Sequence, residues 1–143
     1  MDFRLPDIAD ANLAAAAPAA PGEQRMADIV LSSQAGTAGS LFGGEAIAAM
    51  TKAAFIAASR HCRMPVVVAS SRQLDFSHPV PVGSIVELSA RVTRTGNSSM
   101  TVEIEFRCEE IVTARRFMAT KGAFVMVALG ADHRPARIGN RAA

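Results

Sequence analysis

Tryptophan and tyrosine are absent from this chain, and phenylalanine is its only aromatic residue. That removes most of the flat stacking surfaces a single-strand nucleic-acid binder uses, and a formal net charge of only +2 supplies no electrostatic footprint for a polyanion. Cysteine is scarce too. Two thiols, Cys62 and Cys108, make no disulfide framework, and no CxxC or His/Cys cluster at metal spacing accompanies them. A reducing cytoplasm is therefore expected, and no metal. No stretch reaches the ~20 apolar residues that a membrane span requires. The first residues carry Asp2, Asp7 and Asp10 where a secretory leader has a basic region. Neither nucleic acid nor membrane is an expected partner.

What remains is a 143-residue chain, half of it hydrophobic, which is enough for one core and too little for two. Residues 1–25, with the run ANLAAAAPAAPGE, read as an Ala/Pro tether. Residues 26–130 read as the folded domain and 131–143 as a basic tail holding Arg134, Arg137 and Arg141. Within the domain, Met26 to Ser33 has strand length. Pro65 to Ser71 is a β-branched run expected to be a strand buried on both faces. Phe76 to Gly83, with two prolines and a glycine, reads as an edge segment and turn. From Ser84 to Cys108 apolar and polar residues alternate on either side of Thr95-Gly96-Asn97-Ser98, the pattern of an antiparallel hairpin with one covered face. Arg115 to Leu129 reads as a third long strand, apolar on both faces and so at a sheet centre or a subunit interface.

These strands are organised around the stretch from Gly36 to Cys62, a glycine-punctuated loop feeding an alanine-rich helix. Ile47, Met50, Phe55 and Ile56 recur near the 3.6-residue spacing of a buried face. Pro65 ends the helix, with Arg60 and Arg63 at its negative pole. At the other pole Gly43 and Gly44 place two residues without side chains where the first helical N–H groups have no partner. Such a spot holds an anion or a developing oxyanion; equally, the two glycines let a loop turn and pack. One helix followed by long antiparallel strands is an α+β pattern in which the sheet wraps the helix.

In Leu41-Phe42-Gly43-Gly44, Ser59-Arg60-His61-Cys62, the segment Asp75 to Gly83, the tip Gly96 to Met100, and Val127 to Arg137, the chain resembles the hotdog-fold acyl-CoA thioesterases. The likeness is to the bacterial YciA-like enzymes and the brain-type acyl-CoA hydrolase. It runs from about Met26 to Ile138. The resemblance implies hydrolysis of an acyl-CoA to a carboxylic acid and free CoA, with no cofactor besides the CoA of the substrate. It also implies a cleft shared across a homodimer and stacking of dimers into hexamers.

The resemblance further implies that the Gly44 N–H polarises the thioester carbonyl, with Phe42, Gly43 and Ser40 around the substrate. Asn97, Ser98 and Ser99 would bind CoA; Arg134, Arg94 and Arg137 are candidate phosphate contacts, each with the alternative role of a solvated surface charge. The helix acid of the family falls at Thr51, and its loop asparagine and acid fall at Ala38 and Ser40. Glu45 and Asp75, the latter from a facing subunit, are the candidate replacement carboxylates. Each has an alternative role: Glu45 complements the helix dipole, Asp75 ends a strand, Thr51 bonds back to the carbonyl four residues earlier, and Ser40 caps the helix. His78 reads as a surface residue, and His61 and Cys62 lie some four turns from Gly44. An acyl-CoA binder without turnover is the rival reading. A dehydratase lacks its Asp and His pair here.

Overall fold

The computed structural model describes residues 23–139, so the Ala/Pro run and the end of the tail lie outside the described residues. Five strands form one antiparallel sheet: β1 (Glu23–Ile29), β2 (Val66–Phe76), β3 (Ile85–Thr95), β4 (Ser99–Glu109) and β5 (Arg116–Ala128). Their order across the sheet is β1-β3-β4-β5-β2. One helix, α1 (Gly43–Cys62), lies against it, giving the α+β hotdog arrangement.

The helix ends at Arg63, which adopts the left-handed conformation (φ 55°) and donates its N–H to the Ser59 carbonyl at 2.8 Å. Its buried face is Ala46, Met50, Ala53, Ala54, Ala57, Ala58 and Cys62, a four-then-three spacing made almost wholly of small residues. The bulky face expected from sequence is therefore corrected. Of Ile47, Met50, Phe55 and Ile56 only Met50 is buried, and Phe55 is 48% exposed. Close approach of the sheet explains this, because Met100, Val102, Ile104, Phe106 and Met126 already fill the inner layer.

The β3–β4 hairpin has the expected alternation, with Val86, Leu88 and Ala90 buried opposite Cys108, Phe106 and Ile104. β5 lies between β4 and β2, a sheet interior, and its residues Phe124, Met126 and Ala128 are buried on the helix side. The strand expected after Pro65 departs from its reading: β2 is longer, it is the sheet's edge, and apart from Val66 it is largely exposed. Two irregularities in its pairing with β5 break the alternation, one between Val68 and Ser70 and one between Arg72 and Asp75, and Gln73 is left-handed (φ 52°). At the other edge, β1 begins at Glu23 and stops at Ile29, and Ser32–Gln34 form a 3-10 turn where strand was expected.

The outer sheet face carries charges that alternate across neighbouring strands. Arg91 faces Glu103, Glu87 faces Arg107, and Arg116 bonds both Glu87 and Glu109. Such exposed pairs each contribute at most about 1 kcal/mol, but they keep this face wet.

Candidate active site

The start of α1 is built by the loop before it. Gly36 N–H meets the Ser40 carbonyl at 2.9 Å and Gly39, at φ 77°, turns the chain back, so that Ala35 and Leu41 pair. Leu41 N–H then bonds the Val80 carbonyl at 2.8 Å, and Phe42 N–H bonds the Gln34 carbonyl at 2.9 Å. These bonds fix Phe42 in extended geometry (φ −65°, ψ 135°) as the residue from which the helix departs.

Phe42 has no side chain able to cap. Its carbonyl accepts from Glu45 N–H at 2.9 Å and Ala46 N–H at 3.2 Å, while the N–H groups of Gly43 and Gly44 have no acceptor among the described residues. Two bare amides thus sit at the positive pole of a 20-residue helix. Gly44 is exposed and Gly43 half-buried, so no side chain seals them. Ser40 is not the cap: its carbonyl serves the loop turn, and the helix has no side-chain cap bond.

Aromatic rings flank the amides. A β-carbon on Gly44 would lie 3.0 Å from Phe42 Cε1, and one on Gly43 would lie 4.0 Å from Phe76 Cε1. The sequence reads Phe76 only as the start of an edge segment and turn, because the bulged alternation of β2 does not reveal which side faces the helix. Its pairing with buried Thr120 places it on the inner face. Asp75, paired with Lys121, belongs to the opposite face and is exposed, so within one chain it turns away from the amides.

Glu45 is exposed in the first turn. Thr51, two turns on and on the Gly44 side of the helix, donates its hydroxyl to the Ile47 carbonyl at 2.7 Å. His78 is exposed at this same end, with Nδ1 3.3 Å from the Met118 carbonyl and its ring against Phe117. Among the described residues no cluster of His, Cys, Asp and Glu is placed to hold a metal ion.

The remaining candidates are at the other end of the molecule. His61 Nε2 lies 3.0 Å from Thr95 Oγ1, which puts the hairpin tip Asn97-Ser98-Ser99 beside the last helical turn, about 30 Å from Gly43 by the length of the helix. The chain after β5 folds across this tip. Ala128 N–H bonds the Ser98 carbonyl at 2.8 Å, Ile138 N–H bonds the Asn97 carbonyl at 2.7 Å, and Leu129 pairs with Pro135. Arg134 stands exposed in that returning turn. One chain therefore brings Ser40, Phe42, Gly43, Gly44, Glu45 and Thr51 together, but not with Asn97, Ser98, Ser99 or Arg134.

Known proteins share this architecture. The sequence model of the Thioesterase superfamily matches residues 38–115, from the loop before the helix to the end of the β4–β5 turn. An uncharacterized acyl-CoA thioester hydrolase of Zymomonas mobilis subsp. mobilis is 31% identical over 122 residues, 85% of this chain and 82% of that protein. Among solved structures, an acyl-CoA hydrolase from Agrobacterium tumefaciens is 47% identical with a TM-score of 0.76, over 85% of this chain but 47% of that one. This chain thus spans about half of its Agrobacterium relative. An apo-hexameric acyl-CoA thioesterase is 29% identical with a TM-score of 0.80, over 82% of this chain and 76% of that one. The chain belongs to the Thioesterase superfamily, within its acyl-CoA thioester hydrolase family.

Among the described residues no helix is long and apolar enough to cross a membrane.

Proposed function

We propose that this protein hydrolyses an acyl-CoA thioester to a carboxylic acid and free CoA, with the thioester oxygen received by the amides at the start of α1. The observation that carries this reading is the pair of unpartnered N–H groups on Gly43 and Gly44. Donors of that kind stabilise the oxyanion formed when water attacks a thioester carbonyl, and one is worth about 10²–10³ in rate. Its family membership supplies the acyl-CoA.

The assembly is part of the proposal. The hairpin tip and the bare amides lie at opposite ends of one helix, so a second copy supplies the tip, and with it Asn97, Ser98, Ser99 and Arg134, to the first copy's amides. The exposed edge of β2, with Val67 44% and Val68 42% exposed, is the surface we assign to that contact. The relative described as hexameric fits stacking of such pairs. Cytoplasmic residence accords with two free, buried cysteines.

The attacking water needs a base. With the Thr51 hydroxyl engaged by Ile47, Glu45 of the same chain is the carboxylate we assign to that task; Asp75, beside Phe76 on the outer face of β2, stays at the far end of a copy that presents its hairpin tip. The Thr51 bond also favours a second reading, in which acyl-CoA is bound without turnover. Thiol release measured across acyl-CoA chain lengths, beside thermal shift with CoA, decides between them. Released thiol supports the hydrolase; stabilisation by CoA with no release supports the binder, and neither response sinks both.

A further inference from the structure

Phe42 and Phe76 are 61% and 51% exposed, yet their backbones are fixed. Phe42 is held by its N–H bond to Gln34, and the residue after Phe76 is held by the bond from Ser77 N–H to the Ala119 carbonyl at 2.9 Å. Upstream of Phe76, Leu74 lies across Gly122, which anchors the bulge that turns the Phe76 ring toward the helix. Two apolar rings held in solvent on either side of polar amides are a preorganised frame for a group that is polar at one atom and apolar beyond it. An acyl thioester is such a group.

We propose that Phe42 and Phe76 are specificity-determining residues, which restrict the site to acyl groups unbranched at the carbon beside the carbonyl. The inference rests on the acyl-thioester reading above and adds the acyl class to it. The spacing carries it: a single carbon placed on Gly44 would already stand 3.0 Å from Cε1 and 3.3 Å from Cδ1 of Phe42, closer than carbon atoms pack. A carbonyl oxygen reaching the Gly44 amide brings its neighbouring carbon alongside that ring, with Phe76 bordering the other glycine. A straight chain passes between the rings edge-on, whereas a second substituent on that carbon meets one of them.

The test compares kcat/KM for butyryl-CoA and isobutyryl-CoA, which differ only in where one carbon is attached. Wild type is expected to favour butyryl-CoA by about tenfold or more, in the range a single misplaced methyl group produces. Phe42→Ala and Phe76→Ala should each bring that ratio to within about threefold, while Phe76→Leu, which keeps bulk, should stay nearer wild type. Both rings are exposed, so these changes spare the core. A wild-type ratio near one, or a ratio unmoved in both alanine variants, overturns the inference and leaves the hydrolase reading standing. If wild type releases no thiol from any acyl-CoA, the hydrolase reading fails and takes the inference with it.

Discussion

Leu74 packs over Gly122 so closely that a β-carbon on the glycine would collide with Leu74 Cδ2 and lie 3.3 Å from its Cγ. The contact lies next to the left-handed Gln73, where β2 departs from regular pairing with β5. Gly122→Ala should therefore destabilise the fold by about 1–3 kcal/mol, the usual cost of overpacking. Urea unfolding measures it, and a shift below ~0.5 kcal/mol would show that Leu74 moves aside freely.

Thr51 occupies the position where relatives are expected to carry an acid, but its hydroxyl is spent on Ile47. Thr51→Ala should change kcat/KM by less than about threefold, and it should stabilise the helix by a few tenths of a kcal/mol through the better propensity of alanine. A loss of about 10² in rate would instead assign the hydroxyl a catalytic part. Steady-state kinetics and thermal melting of the one variant report both quantities.

Much of the frame was legible because its physics is local. The alternation from Val86 to Cys108 needs only period two and a turn at Gly96, and the bare helix start needs only Gly43 and Gly44. The rest was hidden where tertiary contacts override local pattern. Glu23, Gln24 and Arg25 form strand at a sheet edge, where polar residues are tolerated and leave no apolar signature. The two irregularities in β2 erase its alternation, which concealed both its length and the inward turn of Phe76. Phe55 read as core because its spacing fits a buried face, yet the alanine side of the helix won, since only small side chains admit the sheet so close. The division of the site between two ends of α1 was unreadable because no sequence pattern reports which hairpin tip lies beside which helix end.

Gly43 is the first helical residue, where proline is well tolerated, and Phe42 before it already has the extended geometry that a proline demands. Gly43→Pro should thus leave stability unchanged or improve it while deleting one free N–H. If that amide shares the oxyanion, kcat falls by about 10²–10³ with KM little altered. Unchanged kcat would leave Gly44 as the sole donor of the pair.

Light scattering should find no monomer at micromolar concentration if a second copy covers the edge of β2. Paired Val67→Lys and Val68→Lys changes place positive charge on that edge and should reduce the assembly mass. Circular dichroism should stay native, because both side chains are already exposed. Thiol-releasing activity should fall at least tenfold with the mass, since the hairpin tip then no longer reaches the amides. An unchanged mass would move the contact to another surface.

Burial pushes the Cys108 thiol above its ordinary pKa, with Ser84 pulling more weakly the other way. The folded state therefore keeps this proton at pH values where the unfolded chain, with a thiol pKa of about 8.5, has lost it. Below that value the thiol is protonated in both states and has no effect on stability. Above it the unfolded state binds fewer protons, so stability declines as pH rises, by at most about 1.4 kcal/mol per unit, until the folded thiol ionises as well. Unfolding free energies measured from pH 8 to pH 10 should fall less steeply in Cys108→Ala than in wild type. The comparison is of slopes, since the lost sulfur lowers stability at every pH. Equal slopes would mean that the native thiol ionises as readily as the unfolded one.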